Sequence, residues 1–284
     1  MRRLKLHEAA VAGVVLVVLG SLVAVAALRY RESARRSTCQ DNLRRIGRAL
    51  IGHHDDFGVF PPGKGGDLAP FKHLSWAVWT YPRIGEEERW EAATMEFLYE
   101  PRHFDWHSGF HRPVPTFSCP TDPRVGMPHW IDDEMVVALT SYQGSLGTDF
   151  KQQDGVLFLD SRIGLQDVTR GAAHTLLVGE RPPSFDLELG WLYGGMGQGE
   201  TGSTDFLLGT NEINAAFSRC RADRLSFRRT ELEHPCAVLH YWSMHPGGAL
   251  FLYVDGHVEF KTYSAADDLI RAGRRTAEPQ GDRR

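Results

Sequence analysis

Residues 9–58 read AAVAGVVLVVLGSLVAVAALRYRESARRSTCQDNLRRIGRALIGHHDDFG, and whether they form one helix or two unrelated pieces decides the fold. Ala9–Leu28 carries no charge, and Ser21 is its only polar side chain. About 20 apolar residues at ~1.5 Å each cross the ~30 Å hydrocarbon core, so this run predicts a membrane helix. A cleaved secretory signal would have a shorter apolar stretch followed by small residues; here RYRESARR follows directly. Cationic residues stand on both sides, Arg2, Arg3 and Lys5 before the run and Arg29, Arg31, Arg35 and Arg36 after it. The positive-inside rule therefore does not decide orientation.

The helical pattern continues past the apolar run. Cys39, Leu43, Ile46, Leu50 and His54 recur at steps of three or four and make one stripe along a helix face, with Arg and Asp on the other. A continuous helix from about residue 5 to about residue 56 would be roughly 75 Å long. Gly58 and Pro61-Pro62 stop it, and no proline inside the span predicts a kink.

The 284 residues carry a net charge of −4 and are 42% hydrophobic, enough for a real core. That near-neutral balance, with a pI near 6.4, gives no electrostatic case for a nucleic-acid partner. Frequent Gly and Pro point to turns and short strands rather than a helical bundle.

A basic leader, Glu8 at the start of an apolar helix and an amphipathic continuation resemble the N-terminus of type IV prepilins and pseudopilins. The resemblance implies a leader cut before Leu4 and a role for Glu8 in assembly, paired with a neighbour's new amino terminus. Arg3 stands where that pattern has Gly. Further blocks follow in order: SWAVWTYPRIGEEE, FSCPTDPR, SYQGSLGT, DGVLFLD, LLVGER and HPGGALFLYVDGHVEF. Together they resemble a bacterial family of unknown function that joins a prepilin-type N-terminus to a closing His-x9-Asp-Gly motif, here His245 with Asp255-Gly256. The resemblance implies an α+β, pilin-like fold: a long N-terminal helix, membrane-spanning in its first half, packed on a mainly antiparallel sheet.

Taken by itself, the closing stretch reads as a hairpin. ALFLYV and HVEF are β-rich runs, and Asp255-Gly256 suits a two-residue type I′ turn that sets Val254 against His257 and Tyr253 against Val258. One face is then buried and the other polar. Asp255 and Gly256 serve the turn, and His245 caps or bonds the Pro246-Gly247-Gly248 bend. On this reading the motif is structural.

Other clusters are weighed in the same way. His103, Asp105, His107 and His111 in HFDWHSGFH have a spacing that would line up zinc ligands on a helix, but Gly109 and the aromatics oppose a helix. His53-His54-Asp55-Asp56 reads as the fraying polar end of the long helix. Gly197, Gly199 and Gly202 match G-x-G-x-x-G without a βαβ frame or a P-loop Lys, so a flexible surface loop is expected. Asp122, Asp154, Asp160 and Asp167 lie near turns but lack an EF-hand spacing. Ser141, Ser145 and Ser161 lack a nucleophile elbow. No catalytic residue, metal or cofactor is assigned.

Cys39, Cys119, Cys220 and Cys236 allow three connectivities, none with CxxC spacing. In an extracytoplasmic domain the favoured pairs are Cys39–Cys119, tying the helix to the first loop block, and Cys220–Cys236, closing a local loop.

The expected organisation is a helix over 1–57, an α+β head over 58–272 with strands around TSYQG, GVLFL, HTLLVGE, CAVLHYW and the final hairpin, and a disordered polar tail over 273–284. The expected function is that of a single-pass inner-membrane protein with its head outside the cytoplasm. Its partners would be the lipid bilayer and further pilin-like subunits or copies of itself, and its work assembly or interaction rather than catalysis. The alternative is a membrane-tethered binding or metal-dependent hydrolytic domain, with carbohydrate a ligand that the seven Trp could stack on.

Overall fold

The computed structural model describes residues 6–66, 71–100, 104–131 and 135–277, without the side chains of residues 6–10 and Phe104. Helix α1 runs unbroken from Leu6 to Phe57, about 78 Å at 1.5 Å per residue. Val11, Leu16, Val17, Leu22, Val23 and Leu28 are all exposed, so none of the described residues covers the apolar half. It is one helix long and apolar enough to span a membrane, with a mean hydropathy of 2.8 in its most apolar window. The C-terminal end is built by Gly58, whose φ of 75° and N–H bond to His54 O close the last turn.

The second half of α1 changes surroundings because its side chains change. Cys39, Leu43, Ile46 and Leu50 are fully buried against the head, each apolar side chain contributing about 1.5–3 kcal/mol by leaving water. At the end of the stripe the expectation is corrected. His53, rather than His54, is the buried histidine; its Nδ1 meets Val59 O at 3.0 Å, and its ring packs against Phe57 and Trp79. Asp56 pairs with Arg83. This end is anchored rather than fraying, because the chain after Gly58 folds back over it.

The head is organised on a five-stranded sheet in the order β5-β3-β4-β8-β9. Its strands are β3 (Tyr142–Gly147), β4 (Leu176–Glu180), β5 (Leu207–Gly209), β8 (Gly248–Tyr253) and β9 (Val258–Thr262). Only the β3/β5 pair is parallel. Two small antiparallel ladders lie outside it, β1 (His129–Trp130) with β2 (Val136–Val137) and β6 (Asn211–Ile213) with β7 (Arg224–Ser226). Helices α2 (Glu87–Tyr99) and α3 (Ala266–Gly273) complete the α+β arrangement.

Strand β8 is buried on both faces, which is why ALFLYV reads as a continuous apolar run. Leu250 and Leu252 join the core under α1, with Leu43, Ile46 and Leu50. Ala249, Phe251 and Tyr253 point the other way, into a second core with Phe227, Tyr241 and Leu269 of α3. A Cβ on Gly47 would stand 2.7 Å from Leu252 Cδ1, so glycine there brings the α1 backbone close to the sheet.

Other sequence expectations change in three dimensions. The GVLFL run forms no strand; Gly155 and Leu157 hydrogen-bond to Leu146 and Ser145 of β3 in a bent crossing. CAVLHYW contains a 3-10 turn over Ala237–Leu239, imposed where Cys236 is drawn into a disulfide. Residues 273–277, expected in the polar tail, are part of the described structure and are held to the head. Arg275 N–H bonds to Asp154 O, and its guanidinium to Gln153 O and Gly155 O, while residues 278–284 lie outside the described residues.

Candidate functional site

The site grows from His245, which follows Ser243 in the loop leading to β8. Its backbone N–H is fixed by Ser243 Oγ at 3.1 Å, and its side chain is fully buried. The ring does not bond the Pro-Gly-Gly bend, as the sequence suggested; it turns inward to the helix. His245 Nδ1 stands 2.6 Å from Glu32 Oε1 of α1 and 3.3 Å from Thr121 Oγ1. On the opposite side, Nε2 stands 3.4 Å from Glu180 Oε1 and 3.4 Å from Cys119 Sγ. Burial alone would lower the pKa of the ring, but the hydrogen bonds and charges of Glu180 and Glu32 outweigh it, and the net displacement is upward. An imidazolium that donates to Glu32 on one side and faces the Glu180 carboxylate as an ion pair on the other satisfies that arrangement.

Glu180 ends β4 and is 1% exposed. Its Oε2 accepts the N–H of Leu250 in β8 at 2.7 Å, while Oε1, among the described residues, has the His245 ion pair and no hydrogen bond. One step along α1, Arg36 donates to Pro246 O at 3.1 Å and lies 4.0 Å from the Phe260 ring centroid of β9. Cys39, the next member of the same helix face, is joined to Cys119. Asn42 then donates to Ser118 O at 3.0 Å. The stretch of α1 that follows its apolar run is thus held to the head by an ion pair, a cation–π contact, a covalent bond and a hydrogen bond in succession.

Asp255 and Gly256 sit at the far end of β8 from His245, so the three motif residues do not converge. The hairpin register differs by one residue from the expected one. Leu252 pairs with Val258, and Tyr253 N–H bonds to His257 O at 3.0 Å. Three residues therefore form the loop, with Gly256 at φ 89° after a turn closed by Gly256 N–H to Tyr253 O. Asp255 Oδ1 accepts the N–H of His257 and meets its Nδ1 at 2.6 Å, and the His257 ring stacks on Tyr253 with centroids 4.4 Å apart.

The remaining sequence candidates do not assemble. His107 is buried between Tyr193 OH and Glu100 O, at 3.0 and 2.9 Å; Asp105 and His111 are exposed, and His103 lies outside the described residues. Asp122, Asp154 and Asp167 each accept N–H groups from within six residues, and Asp160 accepts that of Gly66 from a distant segment. The glycine-rich stretch is no flexible surface loop. Gly197, Gly199 and Gly202 all have positive φ, Gln198 and Gly202 N–H groups bond back to Ser203 and Met196, and Thr201–Thr210 is buried. Asp205 in that stretch receives N–H bonds from Gly197 and Met196, and burial pushes its pKa up to about 7 against the pull of Arg181. The side chain of Glu8 lies outside the described residues.

Both disulfides form as Cys39–Cys119 and Cys220–Cys236, with Cα–Cα distances of 5.2 and 4.9 Å. Glu32 and Glu180 are site residues that sequence reasoning missed. A signal existed for the first: Glu32 and Arg36 extend the Cys39 stripe backward at steps of four and three. For Glu180 the signal was an acid closing the apolar run LLVGE, a position that needs a buried partner.

Residues 29–268 match a family described as "Protein of unknown function (DUF1559)". No curated protein and no solved structure matches the chain.

Proposed function

The chain belongs to the bacterial DUF1559 family, and from that premise we propose that it is a pilin- or pseudopilin-like envelope protein. It is anchored by α1 in the inner membrane, carries its head outside the cytoplasm, and acts in assembly or interaction rather than catalysis. The observation that carries this reading is α1 itself: an uncovered apolar half continuous with a half that is covalently and electrostatically locked to the sheet. Such a rod transmits the position of its membrane end directly to the head. Two disulfides support an oxidising compartment. Site-specific crosslinking of the full chain in membranes tests it. Glu8→Ala is expected to abolish crosslinks between subunits while both disulfides still form, and unaltered crosslinking removes the assembly role.

A second reading is favoured by Trp106 and Trp130, 74% and 68% exposed, which line one concavity with Asp105 and His111. Aromatic faces beside polar groups suit a sugar. Titration with soluble oligosaccharides, read by tryptophan fluorescence and lost in Trp130→Ala, would support a binding head; no response at millimolar sugar argues against it.

A further inference from the structure

Cys39 Sγ, Cys119 Sγ, a carboxylate oxygen of Glu180 and a ring nitrogen of His245 all lie within 4.8 Å of one another, and all four residues are buried. They come from four separate segments. In the oxidised protein the sulfurs are bonded to each other and are poor donors. Glu180 is held through Oε2 by Leu250, which leaves Oε1 free of any other hydrogen bond and facing His245 Nε2. Nε2 also faces Cys119 Sγ. Two thiolates, one imidazole and one carboxylate form a donor set for a closed tetrahedral Zn²⁺, whose bonds of about 2.0–2.3 Å place ligand atoms about 3.3–3.8 Å apart. The separations of His245 Nε2 from Glu180 Oε1 and from Cys119 Sγ, both 3.4 Å, are on that scale, and the two bonded sulfurs part to reach it when the disulfide is reduced. The other ring nitrogen, Nδ1, already bonds Glu32, the outer carboxylate that orients a histidine ligand in many zinc sites.

We propose that reduction of the Cys39–Cys119 bond converts this cluster into a Zn²⁺ site formed by Cys39, Cys119, His245 through Nε2, and Glu180 through Oε1. Helix α1 is then clamped to the head in either redox state, by a disulfide or by a metal. The electrons come from a dithiol. Its thiolate attacks one sulfur, the mixed disulfide is resolved by its second thiol, and a cyclic disulfide leaves with Cys39 and Cys119 as thiols. The same thiols exist before their first oxidation. Zn²⁺ displaces both thiol protons and any proton on Nε2, while the Nδ1 proton stays on the Glu32 side. The inference holds whether or not the protein enters a filament.

The test uses the full chain in detergent, reduced with dithiothreitol, desalted without oxygen and titrated with Co²⁺ as an optical stand-in for zinc. One Co²⁺ per chain is expected, with thiolate charge-transfer and tetrahedral d–d absorption, both displaced by Zn²⁺. The spectrum should persist in Cys220→Ser/Cys236→Ser and weaken at least tenfold in apparent affinity in His245→Asn and Glu180→Gln. No tetrahedral spectrum from the reduced wild-type chain, or one that survives Cys39→Ser/Cys119→Ser, overturns the proposal. Thiol labelling of the wild-type chain tests the same site without any substitution: metal should protect Cys39 and Cys119, and protection of Cys220 and Cys236 in their place overturns it.

Discussion

Glu32 Oε1 and His245 Nδ1 meet at 2.6 Å across 213 positions of sequence, joining the part of α1 nearest its apolar half to the loop that launches β8. His245 is fully enclosed, while the Glu32 side chain keeps 22% of its surface exposed, so the two partners differ in what their removal does.

Replacing His245 by Ala leaves Glu180 buried without its cation and should destabilise the head by about 3–5 kcal/mol. Glu32→Gln keeps a hydrogen-bonding group and has water at hand, so about 1–2 kcal/mol is expected. Thermal unfolding in detergent ranks the two. Hydrogen exchange over residues 29–40 should accelerate in Glu32→Gln, and unchanged exchange there would mean that the ion pair does not hold the helix.

The two disulfides should differ in weight. Cys39–Cys119 closes a separation of 80 residues and Cys220–Cys236 one of 16, so chain entropy assigns them about 4.5 and about 3 kcal/mol. Denaturant titration of the two double serine variants is expected to show the larger loss for the first pair. The reverse order would show that reduced chains retain the helix–loop contact.

Gly256 holds φ at 89°, and a Cβ there would approach Ile51 Cδ1 of α1 to 3.0 Å. Gly256→Ala should therefore cost about 1–2 kcal/mol, whereas Asp255→Ala, which removes the exposed carboxylate that meets the His257 N–H and Nδ1, should cost under about 1 kcal/mol. Equal effects would contradict the three-residue loop.

Asp205 supplies the pH dependence. Its carboxyl goes from an ordinary value of 3.8 to about 7 in the fold, because burial disfavours the charged form. A raised folded pKa stabilises fully below the unfolded value and loses that contribution as pH rises through the folded one. Wild-type stability should thus decline relative to Asp205→Asn between about pH 4 and pH 7, by no more than about 4 kcal/mol at ~1.4 kcal/mol per unit, and the difference should level off above. A difference independent of pH over that range would place the proton elsewhere.

Local periodicity carried much of the architecture. The apolar run and the stripe at Cys39, Leu43, Ile46 and Leu50 foretold one helix in two environments, and the runs around β3, β4, β8 and β9 lie where strands form. GVLFL and CAVLHYW failed because a short apolar run shows burial without showing backbone shape. The hairpin register failed for a related reason. Asp-Gly announces a turn, but one residue more or less in the loop turns over one strand relative to the other, and β8 is apolar on both of its faces.

The sequence by itself determined the rod, the apolar run in its first half and the glycine at the hairpin, because each depends on residues within a few positions of one another. Only the tertiary structure decided that Glu32, Cys39, Cys119, Glu180 and His245 meet at one point. That meeting is set by how α1 crosses β8 and by a strand order that places β4 beside β8. Packing between segments about sixty or more residues apart leaves no periodic trace in the chain, so the clamp could be read only once the layers were in place.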